Sequence, residues 1–330
     1  MTWLAWRQLR LPVVSVHAAI VLIAVVLVAT RPGRGTLDDH ETLYSGGLVA
    51  VHVLPALLAV FWAVPMITRE LEAGTHNLVW SQSVTRTRWL AVKLGVGVPA
   101  AALTAGLLSL VVTWWADPID TDVGPERQGN VGRRLAPVVF AARGIAPVGY
   151  AVFAFVLAVA VAVLVRRTLP AMAVTLVLFA AVQVVVPYAV RPHLLPPTEE
   201  PVAITAQSIA GIRTEEGSGG EVPESLTVRE PGGAWVLVNE TVDANGVAVR
   251  PLPEAVRHCL PSSPPDAEAR LDLGRIRACF AGLSDLGYHQ RLAYHPAGRF
   301  WALQWLELAL FLAVSAPLTW FCFRRLRHLS

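Results

Sequence analysis

The chain has 330 residues, of which 54% are hydrophobic and 15% charged, with a formal net charge of +3. This composition is far from that of a soluble globular domain, and the apolar residues gather into runs of the length that marks a membrane chain. The charge is unevenly divided: residues 191–299 hold fourteen acidic and ten basic side chains, against ten acidic and seventeen basic elsewhere. A basic membrane part suits anionic lipid headgroups, whereas arginines spread along run ends, rather than gathered on one face, speak against nucleic-acid binding.

At the start, Trp3, Leu4 and Trp6 stand beside Arg7 and Arg10. Tryptophan favours the headgroup level and arginine snorkels to phosphate, so Met1–Leu11 reads as a short interfacial helix or a simple flanking anchor. Six apolar runs follow: Leu11–Thr30, Leu48–Ile67, Leu94–Ala116, Gly144–Val165, Thr168–Val190 and Trp301–Phe323. Each has about the 20 residues that a helix needs to cross a hydrocarbon core of about 30 Å. The first is too long, and lacks a convincing small-residue cleavage site, to be a removable signal peptide. Prolines within the runs (Pro55, Pro99, Pro147, Pro187, Pro317) are tolerated where neighbouring helices satisfy the freed backbone groups.

The expected architecture is an all-α polytopic membrane protein of six transmembrane helices, with a small mixed α/β extracellular domain between the fifth and sixth. Residues 1–190 carry the interfacial helix and spans one to five, 191–299 the extracellular domain, and 300–330 the sixth span with a basic tail. Arginines concentrate in the segments that lie inside if the N-terminus is cytoplasmic, which places both termini there by the positive-inside rule. The loop Gly124–Arg143 sits least well with this, since it puts arginines outside. Arg166-Arg167-Thr168 leaves room only for a tight helical hairpin between spans four and five.

In the soluble part, Pro192, Pro196 and Pro197 and then Gly217-Ser218-Gly219-Gly220 read as a loose start with a mobile loop. Ala234–Asn239 and Gly246–Val249 have strand character around an Asn245-Gly246 turn, and Asp266–Leu283 has the period of an amphipathic helix. Cys259 and Cys279 fall in this part. A disulfide between them suits an oxidising side and stabilises by about 3 kcal/mol in the chain-entropy model; two buried thiols are the alternative. A metal is disfavoured, because only His258 and His289 are at hand and no CxxC partner is present.

A standard phosphate-binding loop needs lysine directly after glycine, and the single lysine, Lys93, follows Val92. Metalloprotease HExxH and hydrolase GxSxG patterns are missing as well. The chain therefore reads as no enzyme by itself. Well inside the spans the ionisable residues are His17, His52 and Glu307. Glu307 lies about 10 Å into the last span if that span starts near Trp301. A carboxylate there is protonated, paired or water-facing, so it is either a structural hydrogen-bonding group or part of a substrate path. Gln183, Gln304 and outer-rim arginines are its candidate partners.

The segment 68–93 is charged and patterned between two apolar runs. Gly74-Thr75 breaks the extension of the second span, Thr75 starts a short helix through Gln82, and Thr85 caps the third span. Leu78, Val79 and Trp80 form an apolar ridge suited to a groove on a partner. Glu70 and Glu72 stand before it, and Arg86 and Arg88 after it, as charges that fix register across an interface. A solvated connector is the bland alternative.

This segment resembles the cytoplasmic coupling loop of ATP-binding-cassette (ABC) transporter permeases of the type-2, exporter-like class. The matching positions are Arg69, Glu70, Glu72, Gly74, Thr75, Ser83, Val84, Thr85, Arg86 and Lys93. Arg143–Tyr150 and Arg299–Glu307 also look similar to actinobacterial six-span permeases. The resemblance implies a separate ATPase subunit that binds ATP and Mg, so that this chain needs no cofactor of its own. It further implies a second permease half, the same or different, in the cell membrane, and movement of a substrate, by expectation outward. A membrane-anchored receptor whose ectodomain senses a ligand, and a secondary transporter, are the rival readings.

Overall fold

The computed structural model describes residues 2–32, 37–74, 85–121, 133–217, 220–259 and 273–327. The chain divides into two compact units. One comprises residues 1–123, 129–195 and 299–330, and the other chiefly residues 196–298.

The first unit is helical. Helix α1 (Thr2–Ala29) runs unbroken, so the expected interfacial helix is the first turns of a longer one. Helix α2 (Leu37–Leu58) passes through a π-helical turn (Ala59–Ala63) into α3 (Val64–Glu72). Helix α4 (Arg86–Thr121) follows, then the short α5 (Pro137–Ala141), α6 (Ala146–Val165) and α7 (Thr168–Val185). A second π-helical turn (Val186–Val190) leads to Arg191, and α9 (Phe300–Arg327) completes the unit.

Among the described residues five helices are long and apolar enough to cross a membrane: His40–Glu72, Arg86–Asp120, Ala146–Val165, Thr168–His193 and Ala297–Arg327. A shorter apolar stretch, Val13–Ala29, lies in α1. Their outward faces are apolar, with Leu22, Phe61, Leu110 and Val177 each at least 60% exposed, as expected of helices solvated by lipid tails. On α9, Trp301 and Trp305 stand near one end and Trp320, with Arg324 over its ring, near the other. That separation is about 25 Å along a helix, which suits aromatic anchors at two interfaces.

Helix α6 is the axle of this unit. It packs against α2, α3, α4, α7 and α9, and apart from Val148 every residue from Ala146 to Val163 is buried. Its sequence is apolar all round, rich in Ala and Val and without charge, the pattern of a helix surrounded by others. Small residues let neighbours approach. A Cβ at Gly97 of α4 would lie 2.2 Å from the Phe155 ring, and one at Gly149 would lie 3.3 Å from the Leu308 Cα of α9. The α6–α7 hairpin closes through Arg166, which takes a left-handed conformation (φ 56°).

The second unit is mixed. An antiparallel three-stranded sheet runs in the order β1 (Thr198–Val202), β5 (His289–His295), β4 (Trp235–Val242), beside a hairpin of β2 (Ile209–Gly217) and β3 (Gly220–Val228). Strands β1 and β2 thus follow the prolines where a loose start was expected; Gly217 pairs with Gly220, and Ser218 and Gly219 of the expected mobile loop lie outside the described residues. Of the predicted strands, β4 is present, while Gly246–Val249 contributes only an isolated Ala248 bridge to Val242. Gly246 (φ +79°) makes the expected turn. Asp243 accepts the Val247 and Asn245 N–H groups there, which holds its carboxyl below the usual range.

The predicted amphipathic helix is seen as α8 (Leu273–Ala281), and residues 260–272 lie outside the described ones. Ile204, Ile209, Leu226, Leu252, Phe280 and Leu283 form the apolar core. Buried Gln290 joins the strands: its amide donates to Leu226 O and Asn239 Oδ1, and its carbonyl accepts from Thr241. Cys259 and Cys279 are disulfide-bonded, which ties α8 to the chain 20 residues before it.

Candidate functional site

Helices α3 and α4 flank the segment that resembles a coupling loop. Helix α3 ends at Glu72, and Gly74 takes the left-handed conformation (φ +66°) that lets the chain leave a helix. Helix α4 starts at Arg86, with Thr85 Oγ1 accepting the Arg88 N–H at 3.3 Å as its cap. Thr75, Leu78, Val79 and Trp80 lie outside the described residues.

The stem on either side is closely bonded. Lys93 is buried on α4, where its ammonium donates to Glu70 Oε1 at 2.7 Å and to Met66 O. It also lies 4.4 Å from the centre of the Trp89 ring. Trp89 Nε1 donates to the other Glu70 oxygen at 2.7 Å. Glu70 thus clamps α3 to α4, with both oxygens occupied and its side chain 13% exposed. Glu72 reaches a third helix: Oε1 accepts the Thr168 N–H at 2.7 Å and Oε2 the Thr168 hydroxyl at 2.8 Å. Thr168 opens α7, so Glu72 satisfies an end donor and places negative charge at a helix N-terminus. Thr68 adds a 2.7 Å bond to the same hydroxyl. Arg86 Nη1 donates to Leu326 O near the end of α9 at 3.4 Å. Arg69 and Arg88 are exposed. The four charges read from sequence as an interface are therefore split: Glu70, Glu72 and Arg86 bond within the bundle, and of the four Arg88 faces outward.

At the other end of the same helices a second polar cluster is buried. Arg191, placed by the π-helical turn after α7, meets Glu307 of α9 in a two-pronged pair, Nε–Oε2 2.6 Å and Nη2–Oε1 2.9 Å. Its third nitrogen donates to Pro137 O at 2.8 Å and its plane lies over the Phe140 ring at 4.2 Å. Neither partner is exposed. Glu307 is thus paired, and the partner is an arginine 116 residues away rather than Gln183 or Gln304. Gln304 instead accepts the Ile145 and Ala146 N–H groups at 2.9 and 2.7 Å. There the chain breaks between α5 and α6, and Ser109 and Thr113 of α4 bond Gly144 from the other side. Irregular backbone inside a bundle persists only when side chains satisfy it in this way.

Arg143 occupies that break. Its Nε donates to Asp120 Oδ2 at 2.9 Å, Tyr44 donates to Asp120 Oδ1 at 2.7 Å, and the guanidinium lies 5.1 Å from the Tyr44 ring centre. Arg143 and Asp120 are each 1% exposed, so the residue counted as an outer-loop charge is interior. Sequence reasoning had outer-rim arginines among the candidate partners of Glu307 without singling out Arg191, and it missed the Asp120–Arg143 pair. The only signal was the unusual presence of Asp120 and Arg191 at run ends. In the other unit, His258 Nε2 lies 3.5 Å from Cys279 Sγ, but both sulfurs of this trio are spent on the disulfide.

A family model described as "ABC-2 membrane transporter related" matches residues 30–191, from the end of α1 through the stem to Arg191. No curated protein and no solved structure matches the chain.

Proposed function

We propose that this multi-pass membrane chain, whose residues 30–191 match the model of the ABC-2 membrane transporter-related family, is the permease subunit of an ABC transporter driven by a separate ATPase. The family match carries this reading. The stem supports it, since α3 is bonded to both α4 and α7, so a push on the segment between α3 and α4 is passed to two further helices.

In this reading α1 is the sixth span, both termini and the segment 73–85 are cytoplasmic, and the sheet-bearing unit is extracellular. The ATPase grips the Leu78–Trp80 ridge with Arg69 and Arg88 beside it. Glu70 and Glu72 transmit the push instead of making the contact. A second permease half completes the pathway, and the cargo moves outward.

The test separates contact from transmission. Trp80→Ala is expected to lose co-purification with the cognate ATPase. Glu70→Gln keeps the complex but loses at least half of the ATPase stimulation, because the Lys93 clamp is cut. Retention of both association and stimulation in both variants overturns the assignment.

A further inference from the structure

In the sheet-bearing unit, the 3₁₀ turn Glu254–Cys259 and helix α8 bring three metal-ligating side chains together. The donor atoms of His258, Cys259 and Cys279 all lie within 4.8 Å of one another. No ligand spacing in the sequence announces this trio, because Cys259 and Cys279 stand 20 residues apart. His258 is exposed and Cys279 half-buried, so these two reach solvent side by side. Cys259 turns the other way, into the apolar core.

Apolar packing holds the trio near, besides the covalent bond. Val256 anchors the turn in the core, and Phe280 and Leu283 anchor α8 and the residues just after it. With both backbones held and the two cysteine Cα atoms 5.6 Å apart, the sulfurs part by side-chain rotation once their bond is opened. The geometry also suits a metal. Zinc–nitrogen and zinc–sulfur bonds at tetrahedral angles set the two ligand atoms about 3.5 Å apart. His258 Nε2 lies 3.5 Å from Cys279 Sγ. While the sulfurs are bonded to each other neither is a thiolate, so the oxidised form has no metal ligand beyond the imidazole. Exposed disulfides are the labile ones, and the half-buried Cys279 sulfur puts this one within reach of an external thiol.

We infer that His258, Cys259 and Cys279 form a redox-switched site for a thiophilic metal ion. A dithiol reductant supplies two electrons and two protons, opens the Cys259–Cys279 bond and leaves as its own cyclic disulfide. Two thiols remain. The metal ion displaces both thiol protons and is held by two thiolates and His258 Nε2, with a fourth tetrahedral position left to water when the ion is zinc. Zinc and cuprous copper share this ligand chemistry. Disulfide and metal thus alternate as the staple between the turn and α8. The permease reading is not needed for this inference.

The test uses the full chain in phosphatidylcholine nanodiscs, carrying Cys322→Ser to remove the one remaining cysteine. It is reduced with dithiothreitol, desalted without oxygen, and titrated with zinc or cuprous ion against a chromophoric chelator. One ion per reduced chain is expected, with binding at least a hundredfold weaker to the oxidised chain. Cobalt in place of zinc is expected to give a thiolate-to-metal charge-transfer band in the reduced chain alone. His258→Ala changes an exposed side chain, keeps two titratable thiols and weakens zinc at least tenfold. Cys259→Ser/Cys279→Ser removes binding and the cobalt band in either redox state. Competition between the two ions identifies which of them the site prefers. Equal binding by oxidised and reduced chains, no binding of either ion by the reduced chain, unchanged zinc affinity in His258→Ala, or loss of the sheet signal on reduction overturns the inference.

Discussion

The two ends of the helical unit solve the same problem differently. At the stem, Glu70, Trp89 and Lys93 lie within 24 residues of one another and bond across a single interruption of the chain, while Glu72 reaches Thr168. At the opposite end, Arg191 and Glu307 are 116 residues apart, and Asp120 and Arg143 straddle a loop and a helix break. The stem pairs are partly open, whereas the far pairs are sealed. A partly open clamp is cheap to make and break, which suits a joint. A sealed pair is costly to separate and fixes geometry. The comparison suggests that motion enters at the stem and is resisted at the far end.

The largest test of this contrast is Glu307→Gln, which leaves Arg191 charged and half-paired in the interior. It is expected to cost about 3–5 kcal/mol, read as a lowered thermal midpoint in detergent. Arg191→Met/Glu307→Leu recovers most of it. A Glu307→Gln loss no larger than that of a stem variant would erase the distinction between the ends. Next is Gly97→Ala, midway along α4, which drives a methyl into Phe155 and costs about 1–3 kcal/mol by overpacking. Phe155→Leu relieves it, and recovery in thermal midpoint without recovery of ATPase stimulation would show that the α4–α6 contact carries the signal between ends. Smallest is Glu72→Gln, which weakens the cap on the first turn of α7. Its sharper reading is faster amide exchange in the first turn of α7, with the far end unchanged.

How much of this was legible follows that division in part. At the stem, the break at Gly74 and the Thr85 cap were readable because that chemistry is local; the Glu70–Lys93 and Glu72–Thr168 bonds were not, since both acids read as interface charges. The apolar runs were plain, and the Cys259–Cys279 bond, left open against two buried thiols, is present. The Arg191–Glu307 pair was not legible, since no spacing rule links residues from different spans, and Gln304 offered an equally plausible partner. Arg143 was misplaced because charge near a run end looks like a loop; only the bonds from Gln304, Ser109 and Thr113 reveal that the chain breaks inside the bundle. In the second unit, β2 and β3 were hidden by their acidic, half-exposed composition. Asn239 and Gln290 tie β3 to the three-stranded sheet through bonds that no alternation of β2 or β3 announces.

The two π-helical turns, Ala59–Ala63 and Val186–Val190, each come shortly before a charged cluster. Such a turn carries one residue more than an α-helical path would, and one residue is worth about 100° of rotation about the helix axis. They act as angular offsets: the first sets the bearing of Glu70 and Glu72, the second that of Arg191. A chain shorter by one residue at either place would keep its hydropathy profile unchanged. Its acids would point away from Lys93 and Thr168, or its guanidinium away from Glu307. The aim of both ends is thus written in residue count as much as in residue type.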